Sequence, residues 1–258
     1  MLDLETRIRS AQNKVDTLNA IALPAEDYDC PKCKNRQVIY YAHQEPAYAG
    51  GFYARDCDCK PIRDNIRHLK RMGLYQAVTA AKIEDFETKE PHQQAMVQAA
   101  KGYLEAPEGQ WLFFGGQPGC GKTLLCSWLY GQLLGRGKRC YYMTWPEESR
   151  LLRQTALNPE EQEQRLEPMR TAEVLYIDDF LRGRNPTASE LNYAFQLIDR
   201  RYREHRATIL SSELQINEID RLDAAIASRI VQCSGDFMLN IAPDSGRNYR
   251  YRSTYRSL

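Results

Sequence analysis

A chain of 258 residues is long enough for one core of ordinary size plus a smaller appendage, so two domains are expected. With 43% hydrophobic and 27% charged residues it has the composition of a soluble globular protein, and no window approaches the roughly 18 apolar residues of a membrane span. The start Met1-Leu2-Asp3-Leu4-Glu5 carries acids where a secretory signal would be apolar, so a cytoplasmic protein without a membrane partner is expected, and the net charge of +1 leaves nucleic-acid contact to local basic patches alone.

Residues 2–20 place Leu4, Ile8, Ala11, Val15 and Leu18 four and three apart, a narrow apolar stripe on one helix face that needs a partner surface. Pro24 breaks the chain. Cys30 to Cys59 then forms a short module with a Tyr- and Gly-rich middle, in which Cys30-x2-Cys33 and Cys57-x-Cys59 offer four thiolates in two close pairs. In a reducing compartment that pattern points to a closed, structural Zn–S₄ site, with His43 as an alternative to one ligand. Zinc would make up for the small core of so short a module. The remaining cysteines, Cys120, Cys126, Cys140 and Cys233, read as small buried residues.

From Lys60 to Gly73 the chain turns basic, with Lys60, Arg63, Arg67, Lys70 and Arg71 against the single acid Asp64. Arg63, Arg67 and Lys70 or Arg71 share a helical face, which is either a solvated surface or a contact for phosphate or an acidic partner. Residues 1–73 are therefore expected as one domain, 74–109 as a linker containing a helix over 92–104, and 110–258 as the core.

In that core Trp111–Gly115, Arg139–Thr144, Val174–Asp178, Thr208–Ser212 and Phe237–Ile241 are short apolar runs, the first four each followed by a helical or polar stretch. The alternation predicts an α/β fold, a five-stranded parallel sheet flanked by helices. Gly116-Gln117-Pro118-Gly119-Cys120-Gly121-Lys122-Thr123 follows the first strand and opens a helix, which is the context of a P-loop. Its glycines let backbone N–H groups curl around a β-phosphate, Lys122 faces the β- and γ-phosphates of ATP, and the Thr123 hydroxyl suits Mg²⁺. The strand Val174 to Asp178 ends in two acids: Asp178 is expected beside the P-loop as the second Mg²⁺ residue, and Asp179, on the other face, as the group that polarises the attacking water. The strand ending Ser211-Ser212-Glu213 is expected between these two, with Ser212 and Glu213 as γ-phosphate sensors or simple turn residues. Arg229, at the end of a helix expected over 220–230, suits an arginine finger acting on a neighbouring subunit, or a dipole-capping residue. The tail Arg247 to Arg256 interleaves arginines and tyrosines, suited to single-stranded DNA, to closing the core's edge or to framing adenine.

Taken together, the four-cysteine module running into Lys60-Pro61-Ile62-Arg63-Asp64-Asn65-Ile66-Arg67, the P-loop, Tyr142-Met143-Thr144-Trp145, Leu175-Tyr176-Ile177-Asp178-Asp179-Phe180, Ser211-Ser212-Glu213, Ala227-Ser228-Arg229-Ile230 and Asn248-Tyr249-Arg250 resemble the helicase loaders of the DnaC/DnaI type, in the branch carried by phages and prophages of Gram-positive bacteria. The resemblance covers nearly the whole chain. It implies an AAA+ ATPase that binds the hexameric replicative helicase through its N-terminal domain, helps place it on single-stranded DNA and self-associates through the ATP site. It further implies that Lys122, Thr123 and Asp178 bind MgATP, that Arg229 acts in trans and that Cys30, Cys33, Cys57 and Cys59 hold zinc. Most AAA+ proteins have Glu where Asp179 stands and Asn near Glu213, and only 17 residues follow Ile241, too few for a helical lid. Slow hydrolysis, and a site completed by a neighbouring subunit, are the expectations. Two other readings remain: a transposition helper of the IstB type, which shares the core and the Asp-Asp strand end while the zinc module and preceding helix favour the loader, and an adaptor that binds a helicase with little turnover.

Overall fold

The computed structural model describes residues 3–183, 186–244 and 248–249. They form two compact units, Met1–Arg71 and Met72–Leu258.

In the first unit, helix α1 (Leu4–Ala20) is N-capped by Asp3, whose carboxylate accepts from Thr6 N at 2.8 Å. Only the middle of the predicted stripe is buried: Ala11 and Val15 pack on Tyr40 and Ala42 of the hairpin β1 (Val38–Ala42) and β2 (Phe52–Asp56). The partner surface that the stripe requires is therefore this antiparallel pair, in register Tyr41 to Tyr53. Helix α2 (Cys59–Arg71) buries Ile62, Ile66 and Leu69 on one face.

The second unit contains the stretch 74–109 expected as a linker, and there the chain is packed structure. Helices α3 (Tyr75–Ala80) and α4 (Pro91–Tyr103) both lie on α5 (Lys122–Gly135). Gly131 of α5 allows that approach, since a Cβ there would stand 2.8 Å from Val78 O. Strands β3 (Trp111–Gly116), β4 (Cys140–Thr144), β5 (Val174–Asp178), β6 (Ala207–Ser211) and β7 (Met238–Ile241) form one parallel sheet in the order β4-β5-β6-β3-β7. Strand β6 separates the P-loop strand from the Asp178 strand, as its sequence suggested, and starts and stops one residue earlier than expected.

Alternation along the strands supplies two cores. Trp111, Phe113, Met143, Leu175, Ile177 and Leu210 pack with residues of α6 (Trp145–Gln154), α7 (Pro159–Thr171), α8 (Ala188–Arg203), α9 (Ile216–Leu222) and α10 (Ala224–Ser234). Leu112, Phe114, Tyr142, Tyr176 and Ile209 are buried on the opposite face, where α5 lies on the sheet. Because all five strands run the same way, Gly116, Thr144, Asp178, Ser211 and Ile241 end on one edge, where open α/β sheets bind ligands.

The fully buried Arg201 ties α8 to that scaffold. Its Nε donates to Thr208 Oγ1 at 2.9 Å, Nη1 to the carbonyls of Met169, Arg170 and Ala172, and Nη2 to that of Ala207.

Candidate functional site

Strand β3 runs straight into the P-loop, with Gly116 N donating to Ser212 O and Gln117 N to Ile241 O, both at 3.1 Å. Gly116 has φ +102°, and a Cβ there would lie 2.1 Å from Ile241 O, so only glycine fits. Gly121, at φ +96°, opens α5 against the ring of Phe86, whose Cε2 would be 2.2 Å from an added Cβ. The loop encloses one side of a cavity of about 350 Å³ lined by Pro118, Gly119, Gly121, Lys122, Thr123, Leu124, Asp179, Glu213 and Tyr249. Lys122 folds back, its Nζ donating to Gly116 O and Gln117 O at 2.7 Å each. Burial pushes its ammonium below the ordinary lysine value, against the opposing pull of Glu213 and Asp179.

Asp178 closes the site from below. It is 7% exposed, and its Oδ1 accepts from Thr123 Oγ1 at 3.1 Å, from Tyr176 OH at 2.9 Å and from Ser211 Oγ, while Oδ2 accepts from Tyr142 OH at 3.1 Å. The two tyrosines went unassigned in the sequence. Their signal was the strand period: Tyr176 precedes Asp178 by two residues, and Tyr142 sits opposite Tyr176 in the register, so all three side chains share a face. Burial, with the Asp178 charge nearby, raises both phenols well above the ordinary tyrosine range and keeps them donors.

Asp179 turns away at φ +53° and reaches the cavity, as does Glu213. Between them stands a residue that no motif flagged: Arg182 Nη1 donates to Asp179 Oδ2 at 2.6 Å, and its Nε lies 3.6 Å from Glu213 Oε2. Ser212 is absent from the cavity wall. It is fully buried, donates Oγ to Phe180 O at 2.7 Å and accepts from Leu214 N at 3.0 Å. Arg229 is likewise engaged within its own chain, where Nε and Nη2 donate to Asp199 Oδ1 at 3.1 and 2.8 Å and the guanidinium lies over the rings of Phe195 and Tyr202.

From the tail, Tyr249 N donates to Gly119 O at 3.1 Å, and Tyr249 is among the residues that line the cavity. Arg247 and Arg250 to Arg256 lie outside the described residues, and the expectation of DNA contact through them lies there too.

In the first unit the sulfurs of Cys30, Cys33, Cys57 and Cys59 all fall within 4.8 Å of one another, with Cys30–Cys57 at 3.8 Å and Cys33–Cys59 at 3.5 Å. Four Zn–S bonds of about 2.3 Å in a tetrahedron require S···S edges of about 3.8 Å, so the donor set fits zinc. His43 is not part of the cluster; its ring packs on Tyr48 and Tyr53. Burial pushes the Cys57 and Cys59 thiols up, a penalty that a bound divalent cation removes by deprotonating them. Arg63, read from the sequence as part of a basic surface stripe, is instead buried here. Its Nη2 donates to Tyr28 O at 2.6 Å and Asn35 Oδ1 at 2.7 Å, and Asn35 Oδ1 also accepts from Cys30 N. Two other stripe residues form ion pairs, Arg67 with Asp64 one turn away and Lys70 with Asp27.

Comparison with known proteins follows the same lines. A family described as IstB-like ATP binding protein matches residues 59–251. The uncharacterized protein YqaM of Bacillus subtilis (strain 168) is 26% identical over 93% of this chain and 90% of its own length, and the phage-like element PBSX protein XkdC of the same organism is 28% identical over 84% of each. Among solved structures, a DnaC helicase loader superposes with a TM-score of 0.52 at 21% identity, covering 65% of this chain and 98% of that one, which extends the likeness to the fold of P-loop AAA+ proteins.

Proposed function

This chain belongs to the IstB-like ATP-binding protein family, and we propose that within it the protein acts as an ATP-dependent loader of a hexameric replicative DNA helicase onto single-stranded DNA during phage or prophage replication. The observation that carries the reading is the pairing of two separate units, one holding a P-loop cavity with Asp178 behind it and the other a four-cysteine cluster with its own hairpin. In this reading Lys122 and the P-loop N–H groups hold the triphosphate, and Thr123 and Asp178, already 3.1 Å apart, hold Mg²⁺. Asp179 orients the attacking water, and Glu213 lies beside it. Zinc on Cys30, Cys33, Cys57 and Cys59 keeps the helicase-binding unit folded. Arg229 would leave Asp199 to reach the ATP of a neighbouring protomer, so self-association and hydrolysis are coupled. The DnaC helicase loader's likeness in fold supports this choice, as does the phage-like element relative.

The family's description favours a second reading, a transposition helper of the IstB type. An adaptor with little turnover is favoured by the Arg182 pair on Asp179, which occupies the acid that hydrolysis requires.

One experiment separates the loader from the adaptor. The chain is purified with the host replicative helicase and tested for an ATP-dependent complex that unwinds circular single-stranded templates blocked to helicase alone. Unwinding supports the loader, a complex without phosphate release supports the adaptor, and no complex in any nucleotide state refutes both.

A further inference from the structure

Arg182 sits where two carboxylates need it. Asp179 and Glu213 both line the nucleotide cavity, and among its lining residues that the structure describes the only cation is Lys122. Without a further cation, a terminal phosphate entering the cavity would face two negative groups. Arg182 holds both, at 2.6 Å and 3.6 Å. Its backbone is fixed: Arg182 N donates to Asp179 O at 3.0 Å, Phe180 N to Ser211 O at 2.8 Å, and the side chains of Phe180 and Leu181 are fully buried. Its side chain is 49% exposed. A guanidinium on a hydrogen-bonded turn beside two buried side chains, half exposed and held by two carboxylates that a phosphate can replace, is built to exchange partners.

We propose that Arg182 makes the cavity discriminate a nucleoside triphosphate from a diphosphate: it neutralises Asp179 and Glu213 in the free chain and transfers to the terminal phosphate when a triphosphate binds. The proposal rests on the reading of this cavity as an ATP site. It gives the chain a γ-phosphate contact in cis, distinct from any role of Arg229.

The test measures binding of a non-hydrolysable ATP analogue and of ADP, each with Mg²⁺, to the full chain. Arg182→Gln is expected to weaken the triphosphate by about tenfold or more while ADP stays within about twofold, because only the terminal phosphate meets the unscreened acids. Arg182→Lys, which keeps the charge and loses the planar fork, should fall between. Adding Asp179→Asn and Glu213→Gln to Arg182→Gln removes the repulsion and should recover most of the lost triphosphate affinity. A structural role for Arg182 would lower both nucleotides together and would not be rescued, so parallel loss, no loss or absent rescue overturns the proposal. Failure of the unmodified chain to bind either nucleotide overturns the reading of the cavity itself, and the proposal with it.

Discussion

Replacing Asp178 by asparagine exchanges one oxygen for an amide nitrogen, yet its effect should reach the fold as well as the nucleotide. The carboxylate is nearly buried and accepts from four hydroxyls, those of Thr123, Tyr176 and Ser211 on Oδ1 and that of Tyr142 on Oδ2. Asparagine can keep its carbonyl toward the first three, but it sets an NH₂ group against the Tyr142 hydroxyl, which must turn to accept. Bonds to a charged acceptor contribute about 1.5–3 kcal/mol each and neutral ones about 0.5–1.5 kcal/mol, so losing the charge on three bonds removes about 3 kcal/mol. Relief of the buried charge's desolvation returns part of that, leaving a net destabilisation of about 2 kcal/mol. For the unit Met72–Leu258 this corresponds to a fall in Tm of about 4–8 °C. The assay is thermal unfolding without nucleotide, followed by Mg²⁺-dependent ATP titration. Tyr142→Phe, which keeps the charge, should melt only slightly early and retain binding. If Asp178→Asn unfolds at the unmodified temperature without nucleotide, the hydroxyl network contributes nothing and the reasoning fails.

Lys122→Ala should weaken MgATP binding by about a hundredfold or more, since it deletes the one cation among the described residues that line the cavity, and an unchanged titration would remove Lys122 from the site. Metal analysis should find about one zinc per chain, lost in Cys30→Ser or Cys59→Ser. The first unit should then lose hydrogen-exchange protection in β1 and β2 while the second melts unchanged, because a structural zinc supplies about 10–16 kcal/mol where so small a core supplies little; retained protection without metal would refute this. Arg201→Met leaves five acceptors without their donor and should destabilise the second unit by about 3–5 kcal/mol, checked by denaturant unfolding. Arg229→Ala protomers mixed with inactive Asp179→Asn protomers should recover hydrolysis at mixed interfaces; a mixture that assembles and stays inactive rules out action in trans.

What the sequence made legible is what chain-local pattern encodes. The P-loop follows from glycine spacing, the sheet from apolar runs ending in polar groups, and the cysteine cluster from paired thiols whose separation a short hairpin can close. Arg63 was misjudged because helical periodicity reports which residues share a face and not what each of them meets: of that face only Arg63 is buried, on Asn35 and the backbone of Tyr28, while Arg67 and Lys70 stay exposed. Ser212 was placed by its strand end as a sensor or a turn residue, and pattern alone could not show that its hydroxyl bonds Phe180 O and Leu214 N. The pairing of Arg229 with Asp199 joins α10 to α8 across 30 residues, a distance over which charge pattern carries no information. The segment 74–109 read as a linker because turn-rich stretches flank its expected helix, yet Val78 and Phe86 are buried against the glycines of α5 and the P-loop.

The phenols beneath Asp178 have a practical consequence. Tyr142 and Tyr176 stand edge to face, with ring centroids 4.9 Å apart, and both hydroxyls share one carboxylate. A cation that engages that carboxylate competes with the phenols for its lone pairs, and a phenol's near-ultraviolet absorption depends on how strongly its hydroxyl donates. If Asp178 holds Mg²⁺ as proposed, the phenols are an unlabelled optical gauge of that site: a tyrosine difference spectrum that appears with Mg²⁺ and nucleotide, and shrinks in Tyr142→Phe, would follow occupancy in real time.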